Sequence, residues 1–157
     1  MSRRNHFITK DIQIIQDFIL DIDEDVKVCR SSSFSVDCDE EIIFLGNKRY
    51  DRISKIFMNW VNKKFNTNIH NWIAISILHE MGHIMTNTEE MREQRAKLDS
   101  IYTFLYEQGI IETEHEYFTK YFEIEAEIAA TTWAVHYYLT HKEKCDTMIK
   151  MIGSTDF

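Results

Sequence analysis

Residues 72–85 read WIAISILHEMGHIM. The run carries no charge on either side of HEMGH, as a helix passing through a protein core requires. On a helix, residues four apart share a face one turn along the axis. His79 and His83 therefore present their imidazoles to the same point, while Glu80 is turned aside. Trp72, Ile75 and Ser76 lie on that face too, and two unpartnered imidazoles among such neighbours would be costly. A divalent ion gives both rings a partner. With a third protein ligand, one position stays open for water, which is the catalytic-zinc arrangement, and an adjacent glutamate is placed to take that water's proton. The stretch thus predicts Zn2+ on His79 and His83, with Glu80 as catalytic base. The competing reading is a pair of hydrogen-bonded core histidines with Glu80 at the surface.

The third ligand has two sources. Glu89 lies six residues past His83, where another group of zinc proteases places its last ligand, but Thr86 stands where the sharp turn needs glycine's backbone freedom. The other source is YFEIEAEIAATTWAVHYY, residues 121–138, read as part of one long helix over 114–141. At about 100° per residue, Glu123, Glu127, Ala130 and Ala134 share a face and Glu125 points the opposite way. Alanines suit a face pressed against another helix. Glu123 is the expected metal ligand, and Glu127 the acceptor of a ligating histidine's free ring N–H, which would fix its tautomer. Against this stands the plain reading of a solvated acidic face.

Working outward, DIQIIQDFIL at residues 11–20 fits a short amphipathic helix. VKVCRSSSFSVDCDEEIIFLG, residues 26–46, reads as two or three short strands. Its last part, EIIFLG, serves equally as a sheet edge for an extended peptide or as an ordinary central strand. In DRISKIFMNWVNKKF, residues 51–65, Ile53, Ile56, Phe57, Trp60, Val61 and Phe65 form one stripe. Thr86 and Glu89 have capping-box spacing ahead of a helix over about 88–108 that ends at Gly109, and Thr113 with Glu116 repeat it. Strands followed by helices make an α+β fold. A single domain over 1–157 is expected, with a helix and short strands in 1–48 and a helical part with the metal site in 51–152.

The net charge of −8 over 157 residues argues against a nucleic-acid surface. No apolar run reaches the length of a membrane span, and the basic start MSRR is followed by too many polar residues for a signal peptide, so a cytoplasmic location is expected. The three cysteines then read as free thiols, with Cys29 and Cys38 near enough to face each other across a hairpin.

HEMGH followed by EIEAEIAA resembles the gluzincin metallopeptidases, whose pattern is HExxH and, further on, a glutamate helix. Within that group it is most similar to the ImmA/IrrE-type proteases and the minigluzincins. The resemblance covers residues 72–87 and 121–131. It implies a short twisted sheet with an active-site helix and a glutamate helix, zinc on His79, His83 and Glu123, Glu80 as base, Glu127 as the supporting acid, and a protein or peptide substrate. The gap between His83 and Glu123 is longer than in the compact members. His136, Tyr137 and Tyr138 lie too far along the helix to serve the reacting carbonyl, and no oxyanion donor is assigned. Two other classes are a zinc protein that cleaves nothing and an acidic interaction protein, inhibitor- or antirepressor-like, that binds a basic partner.

Overall fold

The structure is a computed structural model that describes residues 6–153; the basic start MSRR and the last four residues lie outside the described part. Helix α1 (Thr9–Leu20) leads into strands β1 (Lys27–Arg30), β2 (Ser35–Asp37) and β3 (Ile42–Leu45). Six helices follow: α2 (Arg52–Phe65), α3 (Trp72–Thr86), α4 (Glu89–Glu107), α5 (Glu114–Phe122), α6 (Glu125–Thr140) and α7 (Lys142–Met151). This is an α+β architecture, a small sheet followed by a helix-rich region.

The sheet order is β1-β3-β2, with β3 parallel to β1 and antiparallel to β2. EIIFLG therefore supplies the central strand, and the edge reading passes to β2. Ile43 and Leu45 of β3 are buried in the core beside Val28 of β1. The order also separates the two cysteines: Cys29 lies on β1, Cys38 follows β2 across the sheet, and both are free.

Helix α3 is buried from Trp72 to His83 apart from Ser76, so it runs through the middle of the molecule. Asn71 caps it by accepting the N–H of Ala74 at 3.2 Å. Its closest neighbour is α6. A Cβ added at Gly82 would collide with the carbonyl of Ala130, so the two backbones touch where glycine meets alanine. The small residues on the two faces permit this approach, and it places HEMGH against the glutamate-bearing helix.

Two helix boundaries differ from the sequence reading. Thr88, not Thr86, caps α4, its hydroxyl accepting the N–H of Met91 at 3.1 Å. Thr86 remains in α3 and donates to the Gly82 carbonyl at 2.7 Å. The second difference decides the site: residues 114–141 are not one helix. α5 stops at Phe122, and Ile124 adopts φ −62°, ψ 137°, an extended conformation that restarts the helix on a new axis. The anticipated cap at Thr113 is present, accepting the N–H of Glu116 at 3.1 Å.

Candidate metal centre

His79 and His83 extend from consecutive turns of α3, with ring centroids 4.8 Å apart and planes nearly perpendicular. Glu127, in the first turn of α6, reaches both. Its Oε1 is 3.2 Å from His79 Nε2 and its Oε2 is 2.8 Å from His83 Nε2. All three side chains are buried, and one ligand atom from each lies within 4.8 Å of the others. They form a potential metal-coordinating triad.

The hydrogen-bond accounting shows what the triad lacks. Thr131, one turn beyond Glu127, donates its hydroxyl to the Glu127 carbonyl at 2.7 Å. Its oxygen is then free to accept from His79 Nδ1, 2.9 Å away. With its Nδ1 proton engaged there, His79 turns Nε2 toward Oε1 at 3.2 Å, a pair that is bridged either by a second ring proton or by a metal cation. Oε2 is buried and has no well-directed hydrogen bond, because His83 Nε2 is near it but off the line of a ring N–H. Two imidazoles and a carboxylate are the donor set zinc takes in catalytic sites, so the residues fit a divalent ion. Burial would raise the Glu127 pKa, yet the two imidazoles outweigh it and hold the carboxyl far below its usual range. Burial would lower the pKa of His79, and the hydrogen bond and charge of Glu127 raise it instead.

Glu123 is not brought to the rings. Its Oε1 accepts from Trp60 Nε1 and its Oε2 from Lys64 Nζ, each at 2.9 Å, on a partly exposed face toward α2. The sequence reading expected Glu123 as ligand and Glu127 as support; the structure gathers Glu127, and not Glu123, with the two histidines. The break at Ile124 resets the helical phase, so a 100° count carried across it fails, and Glu127 alone faces α3. Glu89, at the start of α4, is exposed and also lies outside the triad.

Glu80 stands beside the triad, 9% exposed, contrary to the surface position of the competing reading. Burial pushes its pKa up against the opposing pull of His79 and His83. It opens, with His79, His83 and Glu127, onto a cavity of about 570 Å³. Phe57 of α2 forms one wall and packs edge-on against His79, with centroids 5.3 Å apart. Ser35 and Val36 of β2 form another wall.

Three residues around the site went unread in the sequence. Thr131 looks like any helical threonine until its partner is known. Arg95 comes from α4, whose nineteen residues include none that is buried, and its Nη1 is 3.7 Å from Glu127 Oε2. Tyr121 lies at the end of α5, where burial first and the Glu127 charge next raise its pKa well beyond the ordinary phenol value. The spacing of Tyr121 from HEMGH carries no signal.

In comparisons with known proteins, no family model, no curated protein and no solved structure matches this chain. No helix of the described residues is long and apolar enough to cross a membrane.

Proposed function

We propose that this chain is a zinc-dependent metallopeptidase of gluzincin-like arrangement, with His79, His83 and Glu127 as ligands and Glu80 as general base. The observation that carries the reading is the burial of Glu80 beside the triad with both opening on one cavity. A structural clamp would have no use for a carboxylate kept out of water next to its ligands.

Zinc held by the triad would acidify a water and polarise the scissile carbonyl. The remaining work falls to the chain's own side chains. Glu80 takes the proton of the attacking water and hands it to the leaving amine; its raised pKa makes the protonated form easier to hold between those steps. Thr131 keeps the Nε2 lone pair of His79 directed inward. Tyr121 stays protonated and gives its hydroxyl to the carbonyl oxygen as charge develops there. β2 is an edge strand that lines the cavity, and its free side suits an extended peptide.

Metal analysis of the purified protein tests the ligand set. About one zinc per chain is expected in the wild type and in Glu123→Ala, with loss in His83→Ala and Glu127→Ala. Glu80→Gln should keep the metal and abolish cleavage of unfolded protein or peptide pools. Cleavage that survives Glu80→Gln refutes the peptidase reading.

A further inference from the structure

The charges lining the cavity are unequally committed. Asp51 caps α2, its Oδ1 accepting the N–H of Ser54 at 2.9 Å. Asp99 accepts the hydroxyl of Tyr117 at 2.8 Å. The two lining cations, Arg95 and the exposed Arg49, make no side-chain hydrogen bond among the described residues. The nearest partner of Arg95 is Glu127, and 3.7 Å is too long for a hydrogen bond. A chain with a net charge of −8 has thus put two guanidinium groups with unused hydrogen-bond donors around one cavity, Arg95 being paired with Glu127 by charge alone. Were Glu127 a metal ligand, its charge would already be shared with a dication. Arg95 would then sit beside that dication with no carboxylate in hydrogen-bond contact, so that its donors stay open to one from outside. A guanidinium presents a planar fork of donors that matches a carboxylate.

We propose that Arg95 anchors a carboxylate of the substrate, so that the preferred peptides carry one, at the C-terminus or on a side chain, close to the cleaved bond. This rests on the metallopeptidase reading and extends it to substrate class.

The test uses zinc-loaded Glu80→Gln protein, which binds without cleaving, and calorimetric titration with three pools of N-acetylated tetrapeptides. One pool has free C-termini and no acidic residue. The second is the same set as C-terminal amides, and the third consists of amides with one internal glutamate. At least one carboxylate pool should bind roughly 10- to 100-fold more tightly than the neutral amides, the effect of one charge-assisted hydrogen bond. Adding Arg95→Gln should erase that preference, and Arg95→Lys should restore part of it. Which carboxylate pool wins identifies the source. Equal binding of the three pools, binding by none, or a preference that survives Arg95→Gln overturns the inference. Cleavage by wild-type protein is scored separately. Hydrolysis without a carboxylate preference sinks the anchor and spares the peptidase, and a preference without hydrolysis does the reverse.

Discussion

The hydroxyl of Thr131 donates a hydrogen bond to the Glu127 carbonyl and accepts one from Nδ1 of His79, so one small side chain fixes the direction of a ring in the triad. Replacing it with valine removes the acceptor and little volume. Zinc affinity should fall about 10- to 100-fold in competition with a chelator, with the fold intact by circular dichroism. An unchanged affinity would mean that the ring is oriented by Phe57 packing alone. Asp146 poses a second residue-scale question. Burial would raise its pKa, but hydrogen bonds from Lys142, Asn71 and Tyr138 outweigh that and hold it below the ordinary aspartate value of 3.8. A carboxyl depressed on folding stabilises above its unfolded pKa and loses that contribution as pH falls through the folded one. Wild type should therefore melt higher than Asp146→Asn at pH 6, and the gap should close below 3.8. A gap that is constant with pH would assign the difference to geometry rather than charge.

At the level of elements, α3 and α6 meet where Gly82 leaves no room for a Cβ. Gly82→Ala raises helix propensity but forces the α6 backbone outward, and overpacking of this kind costs about 1–3 kcal/mol. The expected result is a melting temperature several degrees lower, with weaker zinc binding because Glu127 moves with α6. The same contact shows what a sequence reveals. HEMGH named two members of the triad and the proposed base because all lie within two turns of one helix, where 3.6-residue periodicity holds. The alanines forecast the tight packing correctly. The third member of the triad was expected one turn earlier because nothing in FEIEAE marks a break: it contains neither glycine nor proline, and Ile124 has no intrinsic preference for ending a helix there. Arg95 and Tyr121 were invisible for a related reason, since the cavity gathers them from different helices. The strand order was equally unreadable, because β-branched runs announce strands but not their neighbours.

For the molecule as a whole, Lys48 ties the two ends of the described chain together. Its buried ammonium lies 2.6 Å from Asp11 of α1 and 3.1 Å from the carbonyl of Ile152, just past α7. Lys48→Met would strand the Asp11 carboxylate without its counter-ion, and breaking a buried pair costs about 3–5 kcal/mol. Urea unfolding should show that loss, and the double variant with Asp11→Asn should recover part of it. A loss below about 1 kcal/mol would place the pair among weak surface contacts. The helices joined at Gly82 and Ala130 carry every member of the triad, whereas α4 rests on the exterior with no buried residue. In deuterium, the amides of residues 77–83 and 128–134 should be among the last to exchange and those of α4 among the first. The ligands would then hold their places through openings that carry Arg95 away and back, so the mouth of the cavity can breathe over a rigid floor.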